Sequence, residues 1–181
     1  MTKNYLTEKF NYLMPLKVDL IRIGINMDGG YVLGKKELNK VETLISLGMG
    51  SERTNWSFEK EYLKINQNIK ITFYDHTVST KSYLLSILRI LRRLIKLRYK
   101  IKDLTEMLKH FFSYAILLNS GRISHKKKKI LQQPKNKNET NIEEIFNNIT
   151  FNNVLLKIDI EGSEYEIIDQ IINSSDKILS L

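Results

Sequence analysis

Three groups of residues in this 181-residue chain have the types and spacing to do chemistry. Gly48-Met49-Gly50 ends the apolar run VETLISLGMG, and Asp75 lies near the end of IKITFYDHT. Asp159 and Glu161 end NVLLKIDIEG, with Glu164, Glu166 and Asp169 close behind. A carboxylate at the end of a buried strand is costly to desolvate unless it is paired, hydrogen-bonded or used. Glycine lets backbone approach a ligand closely, and a carboxylate about one βα unit later can accept from both hydroxyls of a ribose. The interval from Gly48 to Asp75 suits that pairing.

Such residues need strands to carry them. Residues 41–50, 69–77 and 153–160 read as strands, and 177–181 begins another. Between them TNWSFEKEYLKIN (54–66) reads as a helix capped by Thr54 or Asn55. KSYLLSILRILRRLIKLRYKIKDLTEMLKHFFSYAILL (81–118) reads as helical throughout. TNIEEIFNNI (140–149) takes Thr140 or Asn141 as cap and Glu143 as capping-box partner. SEYEIIDQIIN (163–173) closes the series. Alternating strand and helix predicts an α/β fold with a doubly wound parallel sheet, one domain over 1–181. Ligands of such sheets lie beyond the strands' carboxyl ends, where all three groups fall. The turn GMGSER lacks the third glycine of a pyrophosphate fingerprint, so a nucleoside without phosphates fits better than a dinucleotide. S-adenosylmethionine (SAM) is the obvious candidate.

Composition narrows the classes. The chain has no cysteine, which excludes disulfides and zinc-thiolate sites, and its three histidines are scattered without metal-ligand spacing. The N-terminus lacks the apolar core of a signal peptide, and no window spans a membrane, so a cytoplasmic protein is expected. The net charge of +9 is unevenly spread. Residues 81–138 hold sixteen Lys/Arg against Asp103 and Glu106, whereas the rest of the chain carries more acids than bases. This basic segment is expected to be a helical insert followed by a lysine-rich loop, SHKKKKILQQPKNKNET.

LLKIDIEGSEYEII resembles the signature strand and helix of the FkbM-type methyltransferases, which are SAM-dependent enzymes of Rossmann-like fold. RIGINMDGGYVL (22–33) is similar to that family's leading segment, SLGMGSERTNWSFEKEYL to its first strand, turn and helix, and ITFYDHTVS to its second strand in a bacterial subgroup. The resemblance covers roughly residues 20–181. It implies an O-methyltransferase acting on a hydroxyl of a sugar or surface-glycan precursor, with SAM as cofactor and no metal assigned. Gly48 and Gly50 would pass beneath the methionine part of SAM and Asp75 would bind its ribose. Asp28, Gly29, Gly30 and Tyr31 would lie near it. Asp159 and Glu161 would face the reacting centre, Asp159 as the base that takes the acceptor's proton or, alternatively, as a ligand to a divalent ion.

Each assignment has a structural counterpart. The glycines could serve only a tight turn, and Asp75 could cap a turn with Thr77. Asp159 and Glu161 could be N-cap and first-turn acids, with Glu164 and Glu166 a solvated first turn. MDGG could be an ordinary hairpin turn, and His76 incidental.

The family's sheet continues past its fifth strand, so the chain reads as a C-terminally truncated member with an incomplete sheet. Its apolar edge is expected to self-associate. In the basic segment, Arg89, Arg93, Lys96 and Lys100 share a face, while Leu84, Leu88, Leu91 and Ile95, then Leu97, Ile101, Leu104, Leu108 and Phe111, form an apolar stripe on another. One reading is a core helix with a solvated cationic face. The other is peripheral contact with anionic membrane at its inner face. Nucleic acid is disfavoured, because the aromatics do not interleave with the basic face. The alternative function is therefore an inactive remnant acting as a basic membrane-surface or nucleic-acid binding module.

Overall fold

A computed structural model describes residues 18–26, 29–51, 56–96, 100–160 and 162–180. Its centre is a five-stranded parallel sheet in the order β5-β4-β3-β8-β9, formed by Ile123–Lys126, Lys70–Tyr74, Thr43–Leu47, Val154–Ile158 and Ile178–Ser180. The chain lays down β3, moves outward to β4 and β5, then returns to place β8 and β9 on the other side of β3. The sheet therefore has a switch point between β3 and β8. An antiparallel hairpin, β1 (Leu20–Ile23) with β2 (Tyr31–Gly34), precedes it.

Alternation along the strands divides the core. Leu44, Ile71, Phe73 and Leu155 face one side, packed with the hairpin and with α1 (Ser57–Ile65), α2 (Thr80–Ile95) and α3 (Ile101–Leu118). Ile45, Leu47, Tyr74 and Leu156 face the other, against α4 (Ile142–Asn147) and α5 (Glu164–Asn173). Both faces are thus covered by helices, and β3 is buried along its whole length, as a central parallel strand must be.

The basic segment departs from expectation in two ways. The helix expected over 81–118 is two helices that pack on each other. Asp103 Oδ2 accepts from the backbone N–H of Lys100 at 2.8 Å and starts α3 afresh. No glycine or proline marks that break, and the apolar periodicity runs through it. Lys100 therefore does not continue the α2 face of Arg89, Arg93 and Lys96, and Leu97 lies outside the described residues. Second, the lysine-rich stretch is not a loop throughout. Its first residues form β5, an edge strand of the main sheet, and a short parallel pair, β6 (Lys129–Ile130) with β7 (Glu139–Thr140), follows. Only Ile123 of β5 is buried, and Ser124 and Lys126 are exposed. A polar strand of this kind is what protects a sheet edge from pairing with another chain.

Three further corrections are local. The caps expected for α1, Thr54 and Asn55, lie outside the described residues, and Trp56 occupies the N-cap position. Asn141 caps α4, but Glu143 is not its partner; Asn141 accepts from the N–H of Glu144, whose own carboxylate takes the Thr140 hydroxyl. Finally, Leu84, Leu88, Leu91 and Ile95 do not face the core. Tyr83, Ser86 and Ile90 do, which leaves the leucine stripe exposed.

Candidate active site

Strand register builds the site. Leu47 pairs with Tyr74 on one side and with Ile158 on the other, so the next residues, Gly48, Asp75 and Asp159, stand in one row beyond the carboxyl ends of β3, β4 and β8. All three line one open cleft with a cavity volume of about 160 Å³, together with Gly50, His76 and Ser163. The β6 strand and the residue before it bring Lys128, Lys129 and Ile130 to the same cleft. It lies over the switch point between β3 and β8, where ligands of doubly wound sheets bind.

Gly48 is required by its surroundings. Its φ is +88°, and a Cβ there would lie 1.9 Å from the carbonyl oxygen of Asp159. Two strand ends converge at this point, and only a residue without a side chain fits between them. Gly50 also has positive φ, +76°, so the turn is wound through conformations that other residues adopt at a cost.

Asp75 is almost wholly buried, and protein donors hold both of its oxygens. Oδ2 accepts from the Met49 N–H at 2.7 Å. Oδ1 accepts from the N–H and hydroxyl of Thr77, each at 2.6 Å, and from the Val78 N–H at 3.1 Å. The carboxylate thus ties the glycine turn to the segment leading into α2. A carboxylate offers about four acceptor sites in all. Oδ1 is saturated, and Oδ2 keeps capacity for one further donor, so one ribose hydroxyl can be accommodated there without rearrangement.

Asp159 is exposed at the cleft edge, and its backbone N–H is held by the Leu47 carbonyl at 2.9 Å. It is not a helix cap, since α5 begins five residues later. Glu161 lies outside the described residues. Glu164 is more than a solvated acid, because its carboxylate accepts from the N–H groups of Ile160 and Gly162 and closes the loop after Asp159. Among the described residues no three His, Asp or Glu side chains cluster to hold a metal ion.

The leading segment meets the site at Tyr31, on whose phenol the charge of Asp159 acts. Gly29, Gly30 and Tyr31 do not line the cleft, and Asp28 lies outside the described residues. The loop belongs to the β1–β2 hairpin and is pinned to the start of α1. Ser57 Oγ donates to the Gly29 carbonyl, and Glu61 accepts from the Gly24 N–H. Tyr31 instead packs edge-on against Phe58 beneath the ammonium of Lys157, which lies 4.9 Å from its ring. Burial raises the Tyr31 pKa.

Three contributors escaped the sequence reading. Lys157, the charge inside the run VLLKI, pairs with Glu59 at 2.8 Å, and both side chains are nearly buried. Burial pulls the Lys157 pKa down, but the charge and hydrogen bond of Glu59 outweigh it and leave the pKa raised. A lone lysine in a buried strand signals a partner, yet nothing local points to Glu59. His125, on β5, lies 2.9 Å from both the Asp75 carbonyl (through Nε2) and the Tyr114 hydroxyl (through Nδ1). The carbonyl can only accept, so Nε2 carries the proton and Nδ1 takes the Tyr114 hydroxyl. Burial lowers the His125 pKa. Trp56 donates its indole N–H to the Met49 carbonyl at 3.1 Å and props the glycine turn from the other side.

A family model, Methyltransferase FkbM domain, matches residues 33–180. The chain belongs to this family. The match takes in every strand of the parallel sheet and the positions of Gly48, Gly50, Asp75, Asp159 and Glu161, whereas Asp28 to Tyr31 precede it. The FkbM assignment agrees with the Rossmann-like strand order and identifies the chain as a methyltransferase. No curated protein and no solved structure gives a significant match to the chain.

Proposed function

We propose that this FkbM-family chain is a SAM-dependent O-methyltransferase acting on a hydroxyl of a sugar or surface-glycan precursor. The observation that carries the reading is the row of Gly48, Asp75 and Asp159 in one cleft over the switch point. The acceptor class rests on the family resemblance alone.

The residues suit a nucleoside sulfonium. The glycine turn offers bare backbone to the ligand, and the free capacity of Asp75 Oδ2 suits one ribose hydroxyl. Bound SAM would supply an electrophilic methyl group. The work left to this chain is to orient the acceptor and remove its proton. Asp159 is the candidate for this: its main chain is fixed by Leu47, its loop is closed by Glu164, the residue lines the cleft, and its charge acts on Tyr31 and Lys157. Lys128 and Lys129 give the opposite wall positive charge, although Lys128 is engaged by Glu144 at 3.1 Å.

Isothermal titration of folded protein with SAM and with S-adenosylhomocysteine tests the cofactor assignment. Saturable binding of either is expected, and absence of both refutes it. Asp159→Asn is expected to keep cofactor binding and to lose transfer to sugar and glycan-precursor acceptors. Undiminished transfer by that variant would remove Asp159 from the base role.

A further inference from the structure

The helical pair that covers one face of the sheet carries apolar surface that the core does not use. On α2, Leu84, Leu88, Leu91 and Ile95 follow at intervals of four, three and four residues and so form one stripe. Leu84 and Leu88 leave 50% of their surface exposed, and Ile95 leaves 84%. Lys81, Arg92, Lys96 and Arg89 border one long side of that stripe, all of them exposed, with the exposed Leu85 among them. No acid occurs anywhere on α2. Helix α3 adds Ile101, Phe112 and Ile116, each at least 60% exposed, with Lys109 alongside, although Lys102 is paired with Glu106 at 3.7 Å.

We infer that α2 docks the protein on an anionic lipid bilayer. An exposed apolar surface of this extent calls for an occupant. A bilayer satisfies both halves of the pattern, because the leucines enter the acyl boundary while the cationic band meets the headgroups. The stripe from Leu84 to Ile95 is about 16 Å long at 1.5 Å per residue, enough to lie in the interface plane. Two other occupants fit less well. A second copy joined by two-fold symmetry sets the cationic bands against each other, with no acid on α2 to offset them. A nucleic acid would use the cations but leave the leucines in water. The inference does not depend on methyl transfer.

Co-sedimentation with phosphatidylcholine vesicles, with and without phosphatidylserine, decides it. At low salt the wild type is expected to pellet with the phosphatidylserine vesicles and to remain in solution with phosphatidylcholine alone. Changing Arg89, Arg92 and Lys96 together to Gln is expected to lower the partition coefficient about a hundred-fold, and high salt to do much the same. Changing Leu84, Leu88 and Leu91 to Ser is expected to abolish binding. Should that variant misfold, the glutamine variant, which removes no apolar contact, still decides the case. The inference is overturned if the wild type stays in the supernatant with anionic vesicles, if it pellets equally with both kinds, or if the glutamine variant binds like the wild type. Concentration-dependent dimers in the ultracentrifuge without vesicle binding would assign the face to a second copy instead.

Discussion

Asp75 is the residue at which structure and function are hardest to separate, so its replacement is the most informative perturbation. The carboxylate accepts four protein donors, among them the backbone N–H groups of Met49 and Val78, residues that are each 1% exposed. Asp75→Ala leaves those two N–H groups without acceptors in a site that water reaches poorly. At roughly 1–3 kcal/mol for each orphaned buried group, the loss is about 2–6 kcal/mol of folding stability. Asp75→Asn is the sharper probe. Both carboxylate oxygens face N–H donors, Met49 on one side and Thr77 with Val78 on the other, so either orientation of the amide turns its NH₂ toward a donor. The asparagine variant should therefore lose much of what alanine loses, despite being nearly isosteric.

Urea unfolding followed by tryptophan fluorescence reads this directly. Trp56 is the only tryptophan, is buried, and donates to the Met49 carbonyl in the same turn. The expected result is a lower midpoint for both variants, with the native emission of Trp56 altered as the turn loosens. If Asp75→Asn unfolds with the wild-type midpoint and Asp75→Ala loses less than about 1 kcal/mol, the tie between turn and helix is not structural, and the reasoning fails. A binding measurement then completes the separation. Titration with SAM under conditions where Asp75→Asn remains folded should show affinity weakened about ten-fold or more, the scale of one lost hydrogen bond to a charged group.

Two further predictions concern buried ionisable groups. Breaking the Glu59–Lys157 pair from one side, by Glu59→Gln or Lys157→Met, should cost about 3–5 kcal/mol by urea unfolding, and Glu59→Leu with Lys157→Met should recover most of it. Because the Lys157 pKa is raised in the folded state, its contribution is full below the ordinary lysine value of 10.5 and is lost as pH rises through the higher native value, a loss that Lys157→Met should not show. His125 has the opposite sign. Its native pKa is depressed, so its contribution is present above the ordinary value of 6.5 and is lost as pH falls through the native value. Melting temperatures between pH 7.5 and about 5 should fall less steeply for His125→Gln than for the wild type, and identical slopes would refute the assignment.

The sequence made the sheet legible where strands are buried on both faces, and failed where they are not. VETLISL, IKITFY and NVLLKI are uninterrupted or alternating apolar runs, and each is a central strand. ISHK has one buried residue in four and runs directly into three more lysines, so nothing in its pattern separates an edge strand from a loop. The break between α2 and α3 was hidden for the complementary reason: the apolar period continues across it, and the interrupting signal is a single aspartate reaching back to a backbone N–H. Periodicity reports which residues are apolar, and it cannot report which apolar face meets a partner. That is why the leucine stripe of α2 was legible as a stripe but not as an exposed one.

The site shows the same division at finer scale. Gly48, Asp75 and Asp159 were marked because glycine and carboxylates at the ends of apolar runs are anomalous, and strand register then sets them side by side. What register alone does not reveal is how far their roles overlap with folding. Gly48 leaves room for the Asp159 carbonyl, Asp75 is largely consumed by the turn it stabilises, and Asp159 is exposed, its charge acting on Lys157 and Tyr31. A residue already committed to four donors can orient a ligand but is poorly placed to exchange protons with it, whereas an exposed carboxylate on an anchored main chain can do the reverse. Of the two acids the structure describes in the row, Asp75 is held by four protein donors whereas Asp159 is exposed, and under the proposed function this would put Asp75 on the cofactor side and Asp159 on the acceptor side.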